Sequence, residues 1–137
     1  MSSPITIQDA LIYIMVTMSA VDRSMTDAEL GQIGNITRTV PIFNDFNEER
    51  LLRVSKDCGA ILSEQDGLDT VLLIVHDALP HNLYDTAYAL AVEIAAADLH
   101  VEQEELRLLQ LLRDRLGLDK LTCAAIERGA MARYRTH

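Results

Sequence analysis

At 137 residues the chain has the size of one domain, residues 1–137. Its formal charge of −9, from 12 basic and 21 acidic residues, disfavours nucleic acid, which needs cations to replace phosphate counterions, and anionic membranes; a cation or a basic partner fits better. Hydrophobic residues make up 49% with no tryptophan and two phenylalanines, so the core must come from Leu, Ile, Val, Ala and Met, a mixture that favours helices.

Every strong periodic stretch reads as helix, and an all-α bundle of about seven helices is expected. The first covers residues 6–21. It is apolar on nearly all sides, the mark of a helix buried centrally. Its apolar run is too short to span a bilayer. No basic residue precedes it, the first being Arg23, so it does not read as a secretory signal. A second helix starts at Thr26, where Thr26-x-x-Glu29 forms a capping box and Leu30, Ile33 and Ile36 form the buried stripe. Gly31 and Gly34 weaken it or admit a close neighbour. Val40-Pro41 breaks the pattern, because proline disfavours helical geometry in the residue before it. Residues 40–46 are then the one substantial loop.

Asn47 is placed to cap a third helix with Leu51, Val54, Cys58, Ile61 and Leu62 on one face. Asp66 is placed to cap a fourth, whose Leu68, Val71, Leu72, Val75, Ala78 and Leu79 follow the 3.6-residue period. Pro80 ends it and Asn82 can cap the fifth, with Leu83, Ala87, Leu90, Ala91, Ile94 and Ala95 apolar. The sixth runs over about 102–116, with Gly117 where a left-handed residue is wanted. Asp119 caps a seventh reaching about Arg133, whose late arginines suit the negative end of a helix dipole. Cys58 and Cys123 have no CxxC or Cys/His spacing around them and read as two reduced cysteines of a cytoplasmic protein.

The pattern Asp-x-x-apolar-x-x-x-Glu-Leu occurs twice, each time after an apolar helix. Asp22, Met25, Glu29 and Leu30 form the first copy; Asp98, Val101, Glu105 and Leu106 form the second. The offset is constant at 76 (22 to 98, 29 to 105), and it pairs Val16 with Val92, Ala20 with Ala96, Ile33 with Leu109 and Ile36 with Leu112. Duplication of a helix–acidic turn–helix unit, related by a pseudo-two-fold, is the simplest reading. Asp22 and Asp98 lie at C-terminal ends of helices, where the dipole opposes a carboxylate. An acid placed there twice asks for a reason, and a hard cation such as Ca²⁺ or Mg²⁺, which takes carboxylate oxygens, supplies one. Asp22, Glu29, Asp98 and Glu105 are the candidate ligands, meeting across the pseudo-two-fold if the first and fifth helices pack together. Asp27, Glu102 and Glu104 thicken the negative field.

A structural reading stands beside this one. Glu29 has its place in the capping box, and both aspartates can accept amides of the following turn. The turn is not an EF-hand, since its glycine and bidentate glutamate are missing and Ile33 falls where the glutamate belongs. His100, two residues after Asp98, has Ser24 as its counterpart and is more simply a solvated histidine than a zinc ligand. His76 and His81, which flank Pro80, read as capping or exposed. Met15, Met18 and Met25 read as core filler. Glu93 either faces a groove or pairs with an arginine. No nucleophile constellation or phosphate loop is present, and a metal-dependent hydrolase on the same carboxylates lacks a partnered general-base histidine. The chain reads as non-enzymatic.

At these residues the chain resembles the TerB-like family of tellurite-resistance proteins, over most of its length. The matching positions are Asp22, Met25, Glu29 and Leu30, then Asp98, Val101, Glu105 and Leu106, with the Ala95 to Asp98 lead and the leucine-rich sixth helix. In place of the family's glycine after the aspartate stand Arg23 and Leu99. The resemblance implies a seven-helix bundle with a pseudo-two-fold, an acidic surface for divalent cations, and a role in tellurite or general stress response through protein assemblies. The alternative is a metal-independent protein-interaction module of the kind found in DnaJ-type co-chaperones, with a protein partner or a second copy of the chain. In that case Arg23 itself can answer one of the acids.

Overall fold

The computed structural model describes residues 5–20, 25–97 and 103–137. Among them all regular structure is helical. The seven α-helices are α1 (Ile7–Ser19), α2 (Asp27–Thr39), α3 (Leu51–Leu62), α4 (Gly67–Ala78), α5 (Tyr84–Ala97), α6 (Gln103–Leu116) and α7 (Lys120–Tyr134). None is long and apolar enough to cross a membrane.

The centre is α1. Thr6 caps it by accepting the Asp9 N–H at 3.0 Å, and every residue from Asp9 to Ser19 is buried. A helix satisfies its own backbone groups, so it can be enclosed on all sides without orphaned amides. Here α2, α3, α4 and α5 enclose it. Thr17 is absorbed locally: its hydroxyl donates to the Tyr13 carbonyl at 2.7 Å, and the Cys58 thiol of α3 approaches the same carbonyl at 3.6 Å. Met15 and Met18 are core filler, as their register predicts.

The Thr26–Glu29 capping box forms in full. Ile33 and Ile36 are buried, whereas Leu30 is half-buried. Gly34 does admit a neighbour: a Cβ there would stand 3.4 Å from Leu51 of α3. The break at Val40-Pro41 holds, but residues 40–46 are more ordered than a plain loop. Pro41–Phe43 is a 3-10 turn, Phe43 is buried and meets Phe46 edge-on with centroids 5.8 Å apart. Gln8 holds this segment to α1, donating to the Ile42 carbonyl at 3.1 Å and to Asp45 at 2.8 Å.

Three caps differ from expectation. Asn47 accepts the Glu49 N–H at 3.0 Å, but it heads a 3-10 turn, Glu48–Arg50, that winds into α3. Asp66 precedes α4 without capping it through its side chain; its backbone is left-handed (φ 59°), a conformation aspartate tolerates better than most residues. Behind it, a Cβ on Gly67 would lie 2.2 Å from the Ile61 carbonyl oxygen, so the α3–α4 corner needs glycine there. Asn82 lies inside a 3-10 turn, His81–Leu83, that follows Pro80 and runs into α5. Tyr84 fills this corner between His76 and His81, whose rings lie 5.4 and 4.9 Å away, and donates its hydroxyl to the His76 carbonyl at 3.2 Å.

The expected signals at the end of α6 and the start of α7 are present. Gly117 takes φ +64°, and the Leu118 N–H reaches the Arg113 carbonyl at 3.1 Å, closing the helix as a Schellman motif. Asp119 accepts the Thr122 N–H at 3.0 Å; donation by the Thr122 hydroxyl and amide lowers its pKa from the ordinary value. The seventh helix lies on α5, and α5 in turn packs against α1 and α6. Arginines join the outer helices: Arg115 to Asp69 of α4 at 2.6 Å, and Arg113 to Glu127 of α7 at 3.2 Å.

Two outcomes follow. Gly67→Ala is expected to cost more than about 2 kcal/mol, in the range of overpacked core sites, while Gly31→Ala, with open space around the new methyl, is expected to gain about 0.5–1 kcal/mol; urea unfolding of the two variants measures both. Burial pushes the Cys58 thiol up from 9.0 to about 12. The folded state then holds a proton that the unfolded chain releases, so stability is level below pH 9 and falls between pH 9 and 12. Cys58→Ala flattens that slope in denaturation midpoints taken across the range.

Candidate functional site

The ends of α1 and α5 and the beginnings of α2 and α6 come together around one cleft of about 260 Å³. Ser19 is the last residue of α1 and Ala97 the last of α5; Glu29 is the third residue of α2 and Glu105 the third of α6. All four line the cleft, together with Thr26 and Gln32. Two helix N-termini therefore present a carboxylate at the same turn position, where the amide dipoles favour negative charge.

The cleft is rich in oxygen. Glu105 is buried at 7% exposure. Glu29 accepts the Thr26 amide at 2.8 Å and the Thr26 hydroxyl at 3.0 Å through one and the same oxygen, Oε1. The Ser19 hydroxyl is 5% exposed and has no hydrogen-bond partner among the described residues, although a buried hydroxyl ordinarily finds one. Carboxylates, hydroxyls and an amide carbonyl are the donor set of a hard cation, and soft ligands are missing from the lining. Among the described residues, no group of three or more His, Cys, Asp or Glu side chains is gathered for a metal.

Of the four acids singled out in the sequence, the structure brings Glu29 and Glu105 to one cleft. Asp22 and Asp98 lie outside the described residues, as do His100 and Glu102. Asp27 and Glu104 are exposed and do not line the cleft. Sequence reasoning missed Ser19 and Gln32. Ser19 carried one signal, a hydroxyl at the end of an otherwise apolar helix.

A second polar cluster lies farther back along α5, around a cleft that shares Gln32 with the first. Glu93 does both things considered for it. It pairs with Arg133, accepts the Tyr134 hydroxyl at 2.8 Å, and lines a cleft of about 490 Å³ between α2, α5 and α7. Its carboxylate thus fastens the end of α7. A third group sits between α5, α6 and α7: the Tyr88 hydroxyl donates to Glu127, which also takes Arg113. Burial, with the Glu127 carboxylate beside it, raises the Tyr88 pKa.

Compared with protein-family models, curated proteins and solved structures, the chain matches none.

Thr26→Ala removes the hydroxyl half of the capping box at the mouth of the cleft. It is expected to cost about 1 kcal/mol, and amide exchange should speed up first at the start of α2, with α7 unchanged.

Proposed function

We propose that the chain is a non-enzymatic TerB-like helical module of the tellurite or general stress response, binding a divalent cation through its duplicated acidic turns. One observation carries this reading: Glu29 and Glu105, equivalent positions 76 residues apart in the sequence, line a single cleft. The helix ranges support a duplication, since α2 begins at Asp27 and α6 at Gln103, again 76 apart. The orphaned Ser19 hydroxyl supports an added ligand at that place. Glu29 and Glu105 would hold the ion from the helix N-termini, with Asp22 and Asp98 as the further acids of the two turns. Ca²⁺ or Mg²⁺ suits this oxygen set better than Zn²⁺, which favours nitrogen and sulfur. A cytoplasmic setting is part of the proposal and rests on the two isolated cysteines, both free.

The second reading is a protein-interaction module that needs no ion. It is favoured by large apolar side chains that α6 and α7 leave exposed, Leu106, Leu121 and Met131.

Calorimetric titration with Ca²⁺, Mg²⁺ and Zn²⁺ tests the first reading. Heat with Ca²⁺ or Mg²⁺ and a rise in Tm are expected. Both should be lost in Glu29→Gln with Glu105→Gln, and in Asp22→Asn with Asp98→Asn. Glutamine keeps the capping-box geometry at position 29, so the ion-free Tm of Glu29→Gln alone should move little. Absence of heat and of any Tm shift with all three ions would leave the interaction reading in its place.

A further inference from the structure

The partner of the exposed α6–α7 surface can be named by its chemistry. Only Cys123 and Ala130 of α7 are buried. The opposite face carries Leu121, Ala124, Ala125, Arg128, Met131 and Ala132, all exposed, at the spacing of one helical stripe. Leu121 is 80% exposed, Met131 56% and Leu106 of α6 53%. Between Leu106 and Met131 opens a groove of about 230 Å³, floored by Val92, Ala95, Ala96 and Leu109. That volume takes one or two large apolar side chains. The polar groups at its edge are already satisfied among themselves, Tyr88 and Arg113 on Glu127, so the groove asks its occupant for hydrocarbon. Exposed apolar side chains gathered on one face mark an interaction site better than scattered ones do.

Charge decides the occupant. Residues 1–102 hold 16 acidic and 5 basic side chains, whereas residues 103–137 hold 5 acidic and 7 basic. Arg115 and Arg133 bind Asp69 and Glu93 of the neighbouring helices, which brings that surface to 7 acidic and 7 basic groups against 14 and 5 elsewhere, and the one charged group within the apolar stripe itself is Arg128. At physiological salt a charge acts over about 8 Å, so a docking segment there meets the local arginines rather than the distant acids. Arg128 stands in the middle of the apolar stripe and Arg107 follows Leu106; both are exposed, and neither has an ion-pair partner among the described residues. A second copy of the chain fits poorly. Arg128 lies near the midpoint of α7, so antiparallel self-pairing along the stripe would set Arg128 against its own image, and like charges directly opposed are destabilising.

We infer that the α7 stripe and the α6–α7 groove together bind an acidic amphipathic helix from another protein, its apolar side chains entering the groove and its carboxylates meeting Arg107 and Arg128. Recognition of this kind lays apolar anchors at i, i+3 or i+4, and i+7 into a groove. The inference builds on the interaction reading and is independent of any cation at Glu29 and Glu105.

The test uses the full chain and a fluorescent helical peptide of about 18 residues, with leucines at the anchor spacing and glutamates between them, beside an isomer carrying lysine for glutamate. Anisotropy should show the glutamate peptide binding at least about tenfold more tightly than the lysine peptide, with affinity falling as salt rises. Arg128→Glu and Met131→Glu, both at exposed positions that leave the core intact, should each weaken it about tenfold or more, while Glu29→Gln with Glu105→Gln leaves it unchanged. Circular dichroism checks that the variants are folded. Equal or tighter binding of the lysine peptide overturns the acidic partner while keeping an interaction surface. Binding of neither peptide overturns both readings of this face, unless sedimentation shows self-association that Met131→Glu abolishes; that outcome makes the occupant a second copy and overturns the acidic partner alone. Indifference of the glutamate peptide to both variants, or variant-sensitive binding only to phosphatidylserine vesicles, overturns the proposal as well.

Discussion

A single buried helix constrains everything else in this protein. From Asp9 to Ser19 no residue of α1 faces solvent, and its side chains are almost all hydrocarbon. A helix of that kind has no stable place except inside, and enclosing it takes a neighbour on every side. The chain supplies α2, α3, α4 and α5, and each buried Leu, Ile or Met adds about 1.5–3 kcal/mol to the enclosure. Thr17 is admitted because its hydroxyl returns to the Tyr13 backbone carbonyl within the same helix. The remaining helices then arrange themselves outside this shell, α6 against α4 and α5, and α7 against α5.

The position of the acidic cleft follows from that burial. The central helix α1 ends at Ser19, beside the end of its neighbour α5 at Ala97. The next helix in each half starts close by, and its first turn favours acids because free amides point toward it. Glu29 and Glu105 thus have a structural reason to sit where they do, and the same reason aims two carboxylates at one cleft. Structural and chemical roles here share residues. Glu29 Oε1 serves the capping box while the same side chain lines the cleft.

Charge is sorted in a comparable way on the outside. Most arginines of α6 and α7 fasten helices: Arg113 to Glu127, Arg115 to Asp69, Arg133 to Glu93. Exposed pairs of this kind contribute modestly, about 0–1 kcal/mol each, and they act more as registers for the outer helices than as supports. Arg107 and Arg128 take no part in this fastening. With the carboxylates those pairs bring in, the α6–α7 face is balanced in charge against the acidic background of the rest of the chain.

Local signals alone determined a great deal. The 3.6-residue period located all seven helices, and Thr26, Gly117 and Asp119 marked ends because a cap acts within one turn of its own residue. The apolar character of α1 declared its burial, and the repeated acidic pattern pointed to Glu29 and Glu105. Tertiary structure decided the rest. Asp66 and Asn82 have the composition of caps, yet the close approach of Gly67 to Ile61 and the turn after Pro80 settled those corners otherwise. Phe43 belongs to a segment without period, so only the packed bundle showed it as core. The meeting of Glu29 with Glu105 lay beyond local reading as well. It depends on α1 lying against α5, a contact between residues some 76 positions apart, and no propensity or capping rule reaches further than a turn or two along the chain.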